Sequence, residues 1–469
     1  TAFNMLHSKP SLNLLAETGG KNATIVTALS DREQAIKHVL HSAFSHSGQK
    51  CSATSLLILE NEVYDDPKFR ATLVDAAESI TVGSAWDLHN RMGPLIRPPS
   101  GELETALKEL EPGEAWAGMP RQIDGNPPLY SPGVKWDVQP ESLTHLTEFF
   151  GPVLGVMKAR NLDHALSLIH RTGYGLTSGL ESLDDREQQY WRERVQAGNL
   201  YINRVTTGAV VLRQPFGGMG KSAFGPGIKA GGPNYVAQLM EFESKRSPTE
   251  HHESSASTDP YLTELRDQLS ERHSASGGLP KDDLAAVVNA IDSYNHWVKH
   301  EIRGEHDHAR LLGQDNFRRY LPVRELRIRV HPEDSLFEIY ARICAAKAVG
   351  CRITVSLPLQ LKSLALKALE TLTESWAATI EFVEETDEDL AAVIRKGQTD
   401  RVRYARPERV PNVVFDAVRD TGFFVARAPV LAEGRVELLW YVREQSISAD
   451  YHRYGNLGAR SEEERAPVT

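Results

Sequence analysis

Short apolar runs alternate with helical stretches along most of this chain, and that alternation limits the folds it can adopt. Before residue 242, strand-like runs lie at 24–26, 54–59, 153–157 and 199–202, and helix-like stretches lie at 30–45, 163–171 and 185–196. Strands that are separated by helices usually pair in parallel, with the helices packed on the sheet. We therefore expect an open, mostly parallel α/β sheet.

A change in composition divides the chain. Residues 247–260 are polar and rich in Ser, His and Glu, and residues 274–280 repeat this pattern with two adjacent glycines. Such a stretch is typical of a connection between domains. We predict a first domain over 1–246, a linker with a short helix over 247–280, and a second domain over 281–469.

The alternation of strands and helices resumes after the predicted linker. Strands are predicted at 326–330, 352–355, 379–383, 402–405 and 423–426, and helices at 335–349, 360–376, 388–395 and 412–420. A final extended stretch is predicted over 436–448. This series is typical of a second doubly wound, Rossmann-like sheet.

Length and charge narrow the function classes. A chain of 469 residues exceeds what one hydrophobic core usually serves, which agrees with two domains. The formal net charge of −10 disfavours binding to nucleic acid or to an anionic membrane, and no apolar run is long enough to span a bilayer. We expect a small-molecule partner.

The three cysteines, Cys51, Cys344 and Cys351, form neither a disulfide framework nor a paired metal-binding motif. Free thiols are typical of a reducing compartment, so we expect a cytoplasmic protein and no metal site. Cys344 and Cys351 lie in apolar sequence, and we predict that both are core thiols.

Cys51 stands in a different setting. Residues 46–53 are His-Ser-Gly-Gln-Lys-Cys-Ser-Ala, and this segment ends a helix and turns toward a strand. Backbone amides in such a turn lower the pKa of a thiol and favour the reactive thiolate. A single cysteine is also often a small buried apolar residue, so the turn alone leaves both interpretations open.

Three further turns carry unusual sequences. Residues 15–22, Leu-Ala-Glu-Thr-Gly-Gly-Lys-Asn, place Glu17 just before two glycines that permit close backbone approach. Residues 148–152 are Glu-Phe-Phe-Gly-Pro, and residues 214–222 are Gln-Pro-Phe-Gly-Gly-Met-Gly-Lys-Ser. Each segment by itself also has an ordinary interpretation. Glu17 could be only a solvated charge, and Glu148 and Phe150 could serve only turn and core packing.

Together and in this order, the four segments resemble the aldehyde dehydrogenase superfamily, and Cys51 follows Glu17 by the 34 residues typical of that family. The resemblance implies that Cys51 attacks an aldehyde and that Glu17 activates the water that hydrolyses the resulting thioester. It also implies NAD as the cofactor, with Glu148 at the nicotinamide ribose and with Phe150 and Gly19 beside it.

A narrower resemblance covers residues 208–218, Gly-Ala-Val-Val-Leu-Arg-Gln-Pro-Phe-Gly-Gly, and residues 227–235. These segments are similar to the 1-pyrroline-5-carboxylate dehydrogenase branch, which implies oxidation of L-glutamate γ-semialdehyde to L-glutamate. By that resemblance, the Gly208 and Ala209 amides hold the substrate carboxylate, Ser52 assists, and Phe216 packs on the methylenes. The alternative is that this Gly-rich stretch is only a tight connection.

The closing run over 436–458 resembles the C-terminus of the proline utilization A family of bifunctional enzymes. That resemblance implies an upstream FAD-dependent proline dehydrogenase on the same polypeptide, substrate channelling through a tunnel, and assembly into a homo-oligomer. It also implies that the second domain has an aldehyde-dehydrogenase-related fold. We expect a C-terminal β hairpin of this domain either to cover the first domain or to seal a tunnel.

Two turns in the second domain depart from the dinucleotide-binding pattern. Residues 356–358 are Ser-Leu-Pro, and residues 384–387, Glu-Glu-Thr-Asp, place three carboxylates where a pyrophosphate would be repelled. We therefore expect a structural second domain.

Only sixteen residues precede Glu17, where the superfamily places its NAD-binding domain, so we expect the chain to be part of a larger protein. Two alternative functions stay open. One is an aldehyde dehydrogenase for another semialdehyde, and the other is a non-catalytic assembly or tunnel-lid module in which Cys51 is inert.

Overall fold

The computed structural model describes residues 1–243, 259–274, 279–376 and 379–466. Residues 247–258 and 275–278 of the predicted linker lie outside these ranges. Up to residue 243 the helices are α1 (Ala2–Ser8), α2 (Arg32–Phe44), α3 (Asn61–Tyr64), α4 (Pro67–Glu78), α5 (Glu102–Lys108), α6 (Leu143–Leu146), α7 (Leu162–Arg171) and α8 (Asp185–Arg194).

The strands of this first half follow the predicted alternation. They are β1 (Ala16–Glu17), β2 (Asn22–Val26), β3 (Thr54–Glu60), β4 (Ala115–Gly118), β5 (Gly133–Trp136), β6 (Val153–Ala159), β7 (Tyr174–Gly175), β8 (Thr177–Glu181), β9 (Asn199–Ile202), β10 (Met219–Gly220) and β11 (Ala223–Phe224).

The second half contains a further series of elements. Its helices are α9 (Pro260–Ser274), α10 (Lys281–Trp297), α11 (Leu336–Val349), α12 (Leu364–Leu372), α13 (Asp387–Arg395), α14 (Asn412–Thr421) and α15 (Gly434–Glu437). Its strands are β12 (Gln314–Pro322), β13 (Glu325–Arg329), β14 (Arg352–Leu357), β15 (Ile380–Glu384), β16 (Arg401–Arg403), β17 (Val425–Ala426) and β18 (Val442–Asp450).

In the described ranges, the largest sheet has nine strands in the order β12-β18-β9-β8-β2-β3-β6-β5-β4. Its interior pairs are parallel, and the two edge strands, β12 and β4, are antiparallel to their neighbours. The interior strands β2 and β3 are almost wholly buried, as expected when helices cover both faces of a parallel sheet. This confirms the expected mostly parallel α/β sheet.

The second sheet has five parallel strands among the described residues, in the order β15-β14-β13-β16-β17. The strand order reverses between β13 and β16, which is the topology of a Rossmann-like domain. Helix α11 packs on this sheet with every residue buried. It begins at a capping box of Ser335 and Glu338 and ends at Gly350, whose φ of 91° suits glycine.

Two elements predicted for the second half need correction. The helix predicted over 360–376 is shorter, because Ser363 caps α12 at its start and a separate 3-10 turn follows it at Glu374–Trp376. The stretch predicted as extended over 436–448 begins as helix, with Glu433 capping α15, and becomes strand only from Val442. Both errors arise where side-chain capping overrides the apolar pattern.

The expected C-terminal β hairpin is instead an antiparallel pair formed by β12 and β18, which lie at opposite ends of the second half. Strand β18 also pairs in parallel with β9, so both halves of the chain contribute to one sheet. The predicted contact of the terminal strand with the first half is therefore present, as backbone hydrogen bonds between β18 and β9.

The helix predicted inside the linker is α9. Its Leu262, Leu265 and Leu269 are buried in the same core cluster as α10 and α11. Burying three leucines stabilises the packing by several kcal/mol, at about 1.5–3 kcal/mol each. In the described part of the chain, no helix is long and apolar enough to cross a membrane.

Candidate active site

The turn that carries Cys51 is held in an unusual backbone conformation. After α2 ends, His46, Ser47 and Gly48 have φ values of 55°, 57° and 68°. A left-handed conformation costs a non-glycine residue about 1–2 kcal/mol, so neighbouring contacts must hold this turn in place. One such contact is the Ser47 hydroxyl, which donates to the Gly93 carbonyl at 2.6 Å.

Gly48 brings the Cys51 turn against the Glu-Phe-Phe-Gly-Pro turn. A Cβ at this position would lie 2.6 Å from the carbonyl carbon of Gly151, so only glycine permits the approach. The side-chain amide of Gln49 also donates to the Phe150 carbonyl at 3.2 Å. Two of the segments predicted from sequence to form the site therefore lie in direct contact.

The side chain of Asn22 holds the backbone of the Cys51 turn in position. Its side-chain amide donates to the carbonyls of Cys51 at 2.7 Å and Ala53 at 2.9 Å, and its oxygen accepts from the Thr177 amide at 3.0 Å. Asn22 is buried and lies at the start of the central strand β2. The Cys51 turn is thus tied to the middle of the large sheet.

Thr206 joins the Cys51 turn to the segment that contains Gly208. Its hydroxyl donates to the Ser52 carbonyl at 2.9 Å and contacts the Thr54 hydroxyl at 3.1 Å. Thr206 and Ser52 are both buried. The start of the predicted substrate loop is therefore hydrogen-bonded to the residue that follows the predicted nucleophile.

Glu17 lies on β1, which pairs with β11 in the Gly-rich segment. One carboxylate oxygen accepts from the Gly218 amide at 2.7 Å. Desolvation raises the pKa of this carboxyl, although the charge of Lys229 and the Gly218 hydrogen bond act to lower it. A carboxylate whose pKa is raised toward neutrality is suited to act as a general base.

The Cys51 thiol is accessible at the surface of the described chain. The amides of Ser52 and Cys51 act to lower its pKa, as expected from the turn. The net direction is nevertheless upward, because desolvation outweighs these amides and the negative charges of Glu148 and Glu17 add to it. The prediction of a lowered thiol pKa was therefore wrong in net direction, since it omitted the desolvation that the fold imposes on this thiol.

Glu148 is the third member of this group. Desolvation raises its pKa, while the Gly20 amide and the charge of Lys21 act to lower it. A Cβ at Gly19 would lie 2.7 Å from the Glu148 carboxyl carbon, so the glycine makes room for this carboxylate. Gly19 and Glu148, which were both predicted to bind the cofactor, therefore lie in contact.

Phe150 follows in a left-handed conformation with φ of 53°, and its side chain is 40% exposed. An aromatic ring held outward by a strained turn is available to a ligand. Its neighbour Phe149 is buried beneath the Lys21 ammonium at 4.7 Å. The two phenylalanines of this turn therefore have different roles, one in packing and one at the surface.

The predicted substrate loop has unpaired donors. Gly208 is exposed with φ of 86°, and within the described residues neither its amide nor that of Ala209 donates to a protein acceptor. Adjacent free amides beside a positive φ can bind an anion. Phe216 is half-buried and hydrogen-bonds through its backbone to Ala230 at 2.9 Å and 3.0 Å.

Sequence reasoning missed three residues of this site: Asn22, Lys21 and Lys229. All three lie inside segments that the sequence singled out. Both lysines are buried, and desolvation lowers the pKa of Lys21 to about 7 and that of Lys229 to about 8. Asn22 stands two residues after a glycine pair, at the start of a buried strand, and this position was the available signal for it.

The carboxyl edge of the five-stranded sheet is filled by ion pairs. Arg327 binds Glu385 at 2.8 Å, and Arg329 binds Asp387 at 2.8 Å. Two of the carboxylates expected to repel a pyrophosphate are therefore neutralised by arginines of β13. These ion pairs lie at the edge where such sheets place ligands, and the structural role of the second domain stays a prediction.

The site thus combines an accessible thiol, a carboxylate with raised pKa and a second carboxylate beside a glycine. The model of the aldehyde dehydrogenase family matches residues 6–244, and the chain belongs to that family.

Among similar proteins, the 1-pyrroline-5-carboxylate dehydrogenase of Bacillus subtilis is 36% identical over 231 residues, which cover 49% of this chain and 44% of that protein. The enzyme of the same name from Geobacillus thermodenitrificans is 37% identical over 231 residues, with the same shares covered. The chain thus spans less than half the length of these relatives.

A solved structure of Proline Utilization A from Corynebacterium freiburgense matches nearly the whole chain. The TM-score is 0.76 at 34% identity, with 97% of this chain and 41% of that protein covered. The match extends over both halves of the chain, so the resemblance seen in the sequence to this family, including its second Rossmann-like domain, is confirmed.

Proposed function

We propose that this chain provides the nucleophile, the general base and the substrate loop for NAD-dependent oxidation of L-glutamate γ-semialdehyde to L-glutamate. The observation that carries the proposal is that three turns remote in sequence meet at one place. Asn22, from the segment that contains Glu17, donates to the Cys51 carbonyl at 2.7 Å. The Glu148 carboxylate lies against Gly19 of the same segment. The names of the similar proteins support the substrate.

The residues present fit part of an NAD site. Glu148 is half-buried, receives the Gly20 amide and is given space by Gly19, so its remaining lone pairs can accept ribose hydroxyls. The exposed Phe150 ring can pack against the same cofactor. When bound, NAD accepts the hydride that leaves the substrate carbon.

Cys51 and Glu17 divide the remaining chemistry. The Cys51 thiolate attacks the aldehyde carbon and forms a thiohemiacetal, and loss of hydride converts this adduct to a thioester. Glu17 then removes a proton from water, and the resulting hydroxide adds to the thioester carbon. Collapse releases the carboxylate product and returns the sulfur of Cys51.

The substrate is oriented by the loop that begins at Gly208. The free amides of Gly208 and Ala209 bind the α-carboxylate without a fixed positive charge, and the half-buried Phe216 packs on the methylenes. Ser52 lies beside the nucleophile and is buried, so its hydroxyl is placed to contact the bound semialdehyde.

The wider protein is also part of the proposal. We infer a first domain over 1–246, a linker over 247–280 and a second domain over 281–469 that supplies β18 to the large sheet. We further infer that the parent polypeptide carries an FAD-dependent proline dehydrogenase, passes its product through a tunnel, forms a homo-oligomer and functions in the cytoplasm.

Cysteine variants of the intact natural polypeptide test the chemistry. Cys51→Ser should lower NAD reduction with glutamate semialdehyde by about 10⁴-fold or more, since loss of a covalent nucleophile has that scale. Cys344→Ala is the matched control, because Cys344 is buried in α11 away from the site, and it should retain activity. Undiminished turnover by Cys51→Ser would refute the proposed mechanism.

A comparison of aldehydes tests the substrate. A carboxylate-free aldehyde of the same length should have a much higher KM than glutamate semialdehyde, because it leaves the Gly208 and Ala209 amides without an anion. Equal KM values would favour oxidation of a different semialdehyde. A non-catalytic module would show neither NAD reduction nor substrate protection of Cys51 from alkylation.

A further inference from the structure

Lys229 is a buried cation that the chemistry described so far does not use. Its side chain is only 1% exposed and its ammonium group donates to the Gly217 carbonyl, with the Gly218 carbonyl at 3.4 Å. A lysine in a protein interior is costly unless its charge is compensated. Its position therefore calls for a function or a partner.

A single peptide unit joins Lys229 to the proposed base. The carbonyl of the Gly217–Gly218 peptide accepts from Lys229, and the amide of the same peptide donates to Glu17 at 2.7 Å. A cation on the carbonyl polarises the peptide and strengthens its amide as a donor. Lys229 therefore acts on Glu17 through one intervening group.

The local packing allows little freedom for this peptide. A Cβ at Gly217 would lie 2.7 Å from a carboxylate oxygen of Glu17 and 3.1 Å from Cδ of Lys229. Glycine at this position lets the lysine, the peptide and the carboxylate stack closely. The orientation of Glu17 is thus coupled to the position of the lysine stem.

On its other side, Lys229 is bound to the second half of the chain. Its backbone amide donates to Glu444 of β18 at 2.7 Å, and Asn234 donates to the other oxygen of Glu444 at 2.6 Å. Glu444 is 1% exposed. A buried carboxylate of the second half therefore lies beside the buried cation of the first.

Three charged groups act on Lys229. Glu17 and Glu444 favour its protonated form, while Arg443, the neighbour of Glu444 on β18, opposes it. In return, the charge of Lys229 acts to lower the pKa of Glu17. The ionised form of the base is therefore favoured by a lysine that the second half helps to hold.

We propose that Lys229 is a positioning residue that holds the Gly217–Gly218 peptide, and through it the Glu17 carboxylate, in the orientation used for water activation. Glu444 of β18 compensates its charge, so the second half contributes to the setting of the base. This inference rests on the proposed function, because it assigns Lys229 to the hydrolytic half of that reaction.

The test is Lys229→Met in the intact polypeptide, with NADH formation followed over pH. Glu17 must be ionised to act, and loss of the lysine charge raises its pKa, so the acid limb of kcat should move up by about one pH unit. On the acid limb kcat should fall about tenfold at a given pH, while the initial burst of NADH, which precedes hydrolysis, should keep its amplitude.

Two further variants make the test decisive. Lys229→Met/Glu444→Gln removes both buried charges together, so it should fold at least as well as the single variant and show the same shift of the acid limb. Lys221 is an exposed lysine of the same Gly-rich segment. The pH profile of Lys221→Met should superimpose on that of the unmodified protein.

Superimposable pH profiles for the unmodified protein and both Lys229 variants would overturn the positioning role. An equal loss of burst and of kcat, without a shift of the acid limb, would also overturn it, since that pattern indicates general disruption. Failure of the proposed function would look different, because the unmodified protein itself would then form no NADH from the semialdehyde.

Discussion

Replacement of Asn22 by alanine removes the anchor of the nucleophile turn. Its side chain makes three hydrogen bonds, to the carbonyls of Cys51 and Ala53 and from the amide of Thr177. Each contributes about 1 kcal/mol net, so we expect Asn22→Ala to destabilise the protein by about 3 kcal/mol, or about a hundredfold in the unfolding equilibrium constant. Peptide groups left buried without partners would add to that cost.

The loss is measured by urea unfolding followed by tryptophan fluorescence, with midpoints compared at constant slope. Asn126→Ala is the control, because this exposed asparagine should change stability by less than about 0.5 kcal/mol. Cys51 in Asn22→Ala should also be alkylated faster as its turn loosens. If Asn22→Ala unfolds at the same midpoint as Asn126→Ala, the assignment of Asn22 as an anchor is wrong.

Two other substitutions test separate parts of the structure. Gly19→Ala should displace Glu148 and weaken NAD binding about tenfold or more, as measured by calorimetry. Gly93→Ala, with open space around its Cβ, should leave NAD binding unchanged. Equal NAD affinities of the two variants would contradict the cofactor role of Glu148. Glu437→Gln should lower the unfolding free energy by about 3–5 kcal/mol, because Arg403 at 2.8 Å would lose its buried partner; a loss below 1 kcal/mol would contradict this.

The candidate site residues could be singled out from the sequence because they lie in short runs of unusual composition, and their roles stay predictions. Glu17, Cys51 and Glu148 each stand beside glycines or aromatic residues, and their order along the chain identified a family. The backbone alternation likewise predicted both sheets, since parallel strands require crossover helices. These features are local, and local sequence determines them.

The supporting residues could not be predicted in the same way. Lys229 resembles a solvated lysine in a glycine-rich loop, and only the tertiary structure shows that it is buried behind Glu17. The upward direction of the Cys51 pKa comes first from desolvation by the folded chain, and carboxylates from two distant turns add to it. Such effects arise from packing and charge in three dimensions, which periodicity does not encode.

The pairing of strands across the chain was also beyond the sequence. A terminal hairpin was the simplest arrangement for a closing extended run, because adjacent strands most often pair. Strand β18 instead lies between β12 and β9, where its buried Ile447 packs in the core of the first half. Register of this kind depends on which apolar faces meet after folding.

The most direct measurement of the central claim is to trap the acyl-enzyme in Glu17→Gln. The intact polypeptide is supplied with NAD and glutamate semialdehyde, quenched in acid and digested, and the peptides are analysed by mass spectrometry. If Cys51 is the nucleophile and Glu17 the base, the variant should form about one NADH per site and retain a glutamyl thioester on the Cys51 peptide. Formation of NADH with no adduct on Cys51, or with the adduct on another residue, would contradict the account.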